Sequence, residues 1–156
     1  MELKRVSFVI YHRLLGSLGV ESSQCKLIRS GQLSDQAVRR LAFSPSTEVS
    51  REAWKAINNQ PRIIYSGAER DEDGISRLLP EAALILSQSE TEPRTAATVL
   101  HHLYSPDRSA GSIDYLVGLI TEHGMNKRGR IICELAKIDP DKARMIISGL
   151  ERLERK

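Results

Sequence analysis

Apolar residues recur every three to four positions along most of this chain, which is the spacing that places them on one face of an α-helix. Strict alternation of apolar and polar residues, which is typical of half-buried strands, is nearly absent, and only Ile63-Ile64-Tyr65 allows a strand. The pattern therefore predicts an all-α protein, an irregular bundle of about eight to ten short helices. A representative apolar stripe is Ile113, Leu116, Val117 and Ile120.

Proline flanked by short polar residues marks the predicted starts of helices. A serine or aspartate before proline can accept the unpaired amide protons of a helix start, and proline loses nothing at the first helical position. Three such corners occur, at Ser44-Pro45-Ser46, Ser105-Pro106-Asp107 and Asp139-Pro140-Asp141. Similar reasoning predicts N-caps at Ser34 and Ser112, helix-opening prolines at Pro80 and Pro93, and helix-ending glycines at Gly19, Gly31 and Gly124.

One segment has a pattern found in repeat proteins. Residues 41–53 run from an apolar end through a proline corner to Val49, Arg51 and Ala53, and they resemble the turn and second helix of HEAT-like α-repeats. The resemblance implies stacked helix pairs with a binding face for protein or nucleic acid. The residues that follow the other prolines do not match this segment, so the sequence favours an irregular bundle, with HEAT-like packing as the alternative.

The chain has 156 residues, a length that fits one domain with a core of its own. We expect a single domain over residues 1–156, in which the loop at 66–74 allows an internal break. Aromatic residues make up only 4% of the chain, so the core must consist mainly of aliphatic side chains, with Trp54 among them. Cys25 and Cys133 fit no metal-ligand pattern and are expected to be buried, reduced thiols.

The amino terminus is apolar enough to be compared with a leader or a membrane span. His12 and Arg13 interrupt the apolar run too early for either, so residues 3–18 are expected to form an amphipathic helix. We therefore expect a cytoplasmic protein with no membrane partner. The apolar face of this helix would carry Leu3, Val6, Ile10 and Leu14.

Charge follows a basic, acidic, basic order along the chain. Residues 1–66 hold ten Lys/Arg against five Asp/Glu, residues 67–126 hold four against ten, and residues 127–156 hold nine against five. Two basic regions that fold together would attract a phosphate backbone. Basic and acidic segments that fold together would instead neutralise each other.

The sharpest local signal is the cluster Lys127-Arg128-Gly129-Arg130. Cations at a helix start oppose the helix dipole, so helix stability does not explain their position. The free amides of a helix start, together with three cations, would suit a phosphate. The candidate residues for binding an anion or nucleic acid are Lys127, Arg128 and Arg130, with weaker candidates in the first half at Arg39, Arg40, Arg51 and Lys55.

Motifs that carry catalysis are absent from the sequence, which has no Gly-x-Ser-x-Gly, no P-loop, no dinucleotide glycine pattern and no His-Glu-x-x-His. His101 and His102 are adjacent and would point about 100° apart on a helix, an arrangement that suits a shared metal poorly. His123 precedes Gly124 at a predicted helix end, where a structural role is expected. We predict no catalytic residue, no metal or other cofactor, and no small-molecule substrate.

The sequence therefore predicts a non-enzymatic binding module, a small helical subunit or adaptor in a larger protein assembly. Its partners would be proteins that contact the helical faces. The alternative is a nucleic-acid-binding subunit that grips the phosphate backbone through its basic terminal regions. Leu135, Ile146 and Leu153 also fall at spacings that resemble the helix-turn-helix of winged-helix repressors, although Asp139-Pro140-Asp141 replaces the usual turn.

Overall fold

The computed structural model describes residue 12 and residues 14–67, 69–70, 76–77, 80–103 and 110–155. These residues form ten helices and one short hairpin, which confirms the predicted all-α class. The chain divides into two compact units, Met1–Ile63 and Ile64–Lys156. The division lies just before the loop where the sequence allowed an internal break.

Helices of the amino-terminal unit pack around α4, which contacts both α2 and α3. Val49, Ala53 and Ile57 are completely buried at four-residue spacing, as their pattern predicted. Trp54 is buried as well, and its ring meets Phe43 edge-on with centroids 6.2 Å apart. The bounds are residues 14–17 for α1, Glu21–Arg29 for α2, Asp35–Leu41 for α3, Thr47–Asn59 for α4 and Arg62–Tyr65 for α5, which crosses the division.

The carboxy-terminal unit is built on α9, which packs against α7, α8 and α10. Its central side chains are aliphatic, and Ile131, Leu135 and Ile146 are almost fully buried. The unit also holds an antiparallel hairpin in which Glu69 pairs with Arg77. The bounds are Glu69–Arg70 for β1, Ser76–Arg77 for β2, Pro80–Ser87 for α6, Pro93–Leu103 for α7, Ala110–Thr121 for α8, Gly124–Ile138 for α9 and Pro140–Glu154 for α10.

Most of the predicted helix starts are confirmed. The Ser34 hydroxyl accepts the Ala37 amide proton at 3.3 Å, and Asp139 accepts that of Lys142 at 3.1 Å. Pro80, Pro93 and Pro140 are the first residues of their helices. The start of α4 differs, because Ser46 rather than Ser44 is the N-cap and Pro45 lies outside the helix. Ser112 lies within α8 and is not its cap, and Pro106 is outside the described residues.

Positive backbone φ angles confirm the predicted helix-ending glycines. Gly19, Gly31 and Gly124 have φ of 78°, 66° and 71°, a conformation that side-chain-bearing residues seldom adopt. At Gly124 this geometry separates α8 from α9 although only two residues lie between the two helices. The glycine therefore redirects the chain and starts α9 in a new direction.

Several expectations from the sequence are corrected. Ile63-Ile64-Tyr65 belongs to α5 and forms no strand. Leu14 is 63% exposed, and the rest of the predicted amino-terminal stripe lies outside the described residues. Cys25 is buried as expected, but Cys133 is exposed, and both thiols are free.

Neither resemblance to a repeat or DNA-binding motif is confirmed. Helix lengths vary from 4 residues in α5 to 15 in α9 and α10, which does not follow a fixed repeating unit. Asp139 alone separates α9 from α10, whereas a helix-turn-helix uses a turn of about three to four residues. The carboxy-terminal helices are therefore a tight helical corner.

Candidate functional site

The predicted basic cluster lies inside α9. Lys127 is the fourth residue of the helix, so the cluster begins one turn later than an anion site on the helix-start amides requires. The Lys127 ammonium donates to the Ser89 carbonyl, and burial lowers its pKa while nearby Glu90 and Glu92 favour its charged form. Lys127 thus connects helix α9 to the loop that precedes α7.

Arg128 and Arg130 differ in exposure and in partners. The Arg128 guanidinium is largely covered and lies 3.5 Å from the Glu154 carboxylate, where it links α9 to α10. Arg130 is exposed on the other side of the helix. Within the described part of the chain, Arg130 is therefore the exposed arginine of this cluster that forms no ion pair.

An open groove of about 1090 Å³ lies between the start of α7 and the outer face of α9, and we call it the α7/α9 groove. The wall at the start of α7 carries Glu92, Pro93 and Arg94. The α9 wall consists of residues three or four positions apart, which a helix places in one line. These residues are Asn126, Gly129, Arg130, Cys133 and Lys137.

Charges in the α7/α9 groove are of both signs but unequally compensated. Glu134 accepts a hydrogen bond from Lys137 at 2.6 Å, and this bond, with weaker help from Arg94 and Arg130, holds the pKa of Glu134 below its usual range. Arg94 and Arg130 are exposed, and neither forms an ion pair with another described residue. Two cations on opposite walls are thus available to a ligand.

Apolar surface accompanies these charges. Ile138 lines the groove and is 42% exposed, and the Cys133 thiol is exposed beside it. A smaller hollow of about 350 Å³ shares Pro93, Asn126 and Arg130 with the groove and extends toward the loop before α7. The surface therefore offers apolar and polar contacts over an elongated area.

The predicted residues of the first half lie in the other unit and do not form a comparable site. Arg39 is 2% exposed and donates to the Ile63 carbonyl at 2.5 Å, so its prediction as a phosphate contact is corrected: it is a core residue. Lys55 lies 3.0 Å from Glu52, whereas Arg40 and Arg51 are exposed. The pKa of Glu52 falls to about 2, chiefly through a hydrogen bond from Arg29 and then one from Lys55.

A second polar cluster joins α7 to α10. The buried Lys142 ammonium donates to the His101 carbonyl at 2.8 Å and lies 3.8 Å from Asp139. Because the last carbonyls of a helix lack partners within it, Lys142 stabilises the end of α7. Burial, and then the Lys142 charge, lowers the pKa of His101.

His123 lies at the corner between α8 and α9. Its Nε2 donates to the Leu86 carbonyl, and its buried Nδ1 has no hydrogen-bond partner among the described residues. Burial lowers the pKa of His123, which favours the neutral form of the ring. Its role is to join α6 to the corner between α8 and α9.

Sequence reasoning found Arg130 but missed Arg94 and Cys133. Arg94 stands alone in an acidic region of the sequence, and only the packing of α7 on α9 brings it to the groove. Cys133 follows Gly129 by four residues, so the helical period alone would have placed both on the face of Arg130.

Comparisons with protein families, curated proteins and solved structures found no match for this chain. Among the described residues, no helix is both long and apolar enough to cross a membrane. No group of three or more His, Cys, Asp or Glu side chains in the described ranges is placed to hold a metal ion.

Proposed function

We propose that this chain is a non-enzymatic binding module, a small helical subunit or adaptor that receives a segment of a partner protein in the α7/α9 groove. The observation that carries the proposal is the composition of the groove. It combines exposed apolar surface at Ile138 with two exposed arginines, Arg94 and Arg130, on α9 and the facing start of α7. Peptide segments present apolar and polar side chains together, and such a surface can bind both.

The charge distribution supports a protein partner over nucleic acid. Arg128 and Lys137 are already paired with Glu154 and Glu134, so few cations remain for phosphates. Carboxylates at Glu92 and Glu134 also lie within the groove, so its surplus of one positive charge suits an isolated carboxylate better than a continuous row of phosphates. The nucleic-acid alternative predicts binding that weakens steeply with added salt.

Gly129 permits a direct test because it lies in the groove and a Cβ atom added there meets no other atom within 4 Å. Gly129→Trp should fill the groove without disturbing the fold. Gly118 in α8 is a matched control, since it is also helical, equally open and outside the groove.

Random linear peptides displayed on phage would be selected against the full chain and then tested against both variants. We expect the selected peptides to lose binding to Gly129→Trp and to keep it with Gly118→Trp. Equal binding to the two variants, with unchanged circular dichroism, would refute the groove as the binding site.

A further inference from the structure

On the basis of the function proposed above, we propose that the α7/α9 groove binds an extended acidic segment of the partner. An apolar residue of this segment is separated along the peptide from its carboxylates. The two arginines determine the charge of this segment. Arg94 and Arg130 come from opposite walls, and no described acidic residue pairs with either. A carboxylate bound between them would complete the electrostatics of the groove.

The remaining charged residues of the groove are Glu92, Glu134 and Lys137. Glu134 is hydrogen-bonded to Lys137 at 2.6 Å, which compensates both groups locally. The groove holds three cations, from Arg94, Arg130 and Lys137, and two carboxylates, so it has a surplus of one positive charge. A basic segment would add to this surplus, whereas a segment that carries a carboxylate would neutralise it.

The start of α7 adds to the preference for a negative group. Pro93 and Arg94 are its first two residues and line the groove, so the positive end of the helix dipole borders it. This contribution acts on the same region as the two arginines. It reinforces their preference for carboxylates.

The distance along α9 determines the spacing of the motif. Ile138 lies eight residues after Arg130, which at about 1.5 Å per residue corresponds to roughly 12 Å along the helix. An extended peptide advances about 3.3 Å per residue, so about four residues span this distance. The predicted segment therefore carries one or two carboxylates near Arg130 and an apolar side chain about four residues away, against Ile138.

In the test, the same displayed peptides are sequenced, and their binding to each variant is measured. Selection on the unaltered chain should enrich Asp and Glu, with an apolar residue about four positions from them. The double variant Arg94→Glu/Arg130→Glu should bind these peptides roughly tenfold or more weakly and should select basic peptides instead. Arg144→Glu/Arg155→Glu is a control with the same change of net charge, because Arg144 on α10 and Arg155 directly after it are both exposed and lie outside the groove. This control should bind as the unaltered chain does.

The outcomes separate this inference from the function on which it rests. Peptides that lose binding to Gly129→Trp but are neutral or basic would overturn the acidic assignment and leave the groove function standing. Peptides that bind Gly129→Trp unchanged would overturn both. An oligothymidylate that binds the unaltered chain and is released by Arg94→Glu/Arg130→Glu, while no acidic peptide is selected, would overturn the peptide assignment in favour of nucleic acid.

Discussion

Replacing Gly149 by alanine tests the packing that holds the carboxy-terminal unit together. Gly149 is buried on α10 where this helix crosses α8. A Cβ atom added there would lie 2.9 Å from the Val117 Cγ2 and 3.0 Å from the Ile113 Cγ2. Both distances are shorter than ordinary carbon contacts of about 3.5–4.0 Å, so the Val117 and Ile113 side chains or the helices that carry them must shift to admit the methyl group.

Two opposing free-energy terms determine how much Gly149→Ala changes the stability of the fold. Alanine favours a helix interior by about 1 kcal/mol over glycine, whereas an extra methyl group in a packed core costs about 1–3 kcal/mol. Gly129→Ala supplies the first term without the second, because nothing lies within 4 Å of its added Cβ. The helix-propensity term cancels in the comparison, so Gly149→Ala should be less stable than Gly129→Ala by about 1–3 kcal/mol.

Urea unfolding followed by far-ultraviolet circular dichroism measures this difference for the full chain. We expect the midpoint of Gly129→Ala to rise above that of the unaltered protein and that of Gly149→Ala to lie below that of Gly129→Ala. Equal stabilisation by both substitutions would refute the close crossing of α8 and α10.

Three further predictions concern the interior and the helix ends. Burial is the main reason that the pKa values of His123 and His101 are lowered from 6.5. The contribution of the two rings to stability is therefore present above pH 6.5 and is lost as the pH falls through the lowered pKa values. The melting temperature should drop over this range, and it should drop less in His123→Gln, which retains a donor for the Leu86 carbonyl. An equal drop in His123→Gln would rule out His123 as a source of the effect. Arg39→Met keeps the packing but removes the donor to the Ile63 carbonyl, so the free energy of unfolding measured in urea should fall by about 1–3 kcal/mol. An unchanged free energy of unfolding would contradict the structural role of Arg39. Asp139→Ala removes the N-cap of α10 and should cost about 1 kcal/mol in the same measurement, whereas Asp141→Ala, which leaves that cap in place, should cost less.

Local chemistry made the helices predictable. The cap at Ser34 and the positive φ at Gly31 depend on residues within one turn, so the sequence contains the whole interaction. The error at Ile63-Ile64-Tyr65 has a tertiary cause. Three apolar residues suit a buried strand or a buried helical turn equally well, and the packing of Ile63 and Ile64 in the interior is not visible in their pattern.

The candidate site was less predictable because it depends on contacts between helices. The basic cluster at 127–130 was visible, but its partners Glu154 and Ser89 are distant in sequence, and they change what the cluster can do. Arg39 shows the same limit, since an arginine on a helix is normally exposed, and its hydrogen bond to the Ile63 carbonyl is a tertiary contact that the sequence does not reveal.

Alkylation of Cys133 tests the central claim, that the α7/α9 groove receives a peptide, most directly. Cys133 is an exposed free thiol in the groove, whereas Cys25 is 2% exposed, so iodoacetamide should modify Cys133 selectively in the folded chain. Mass spectrometry would follow the rate with and without a saturating amount of an acidic peptide selected as above. The rate at Cys133 should fall as the peptide saturates the unaltered chain and stay constant in Gly129→Trp. An unchanged rate at Cys133 with the peptide fully bound would contradict occupation of the groove.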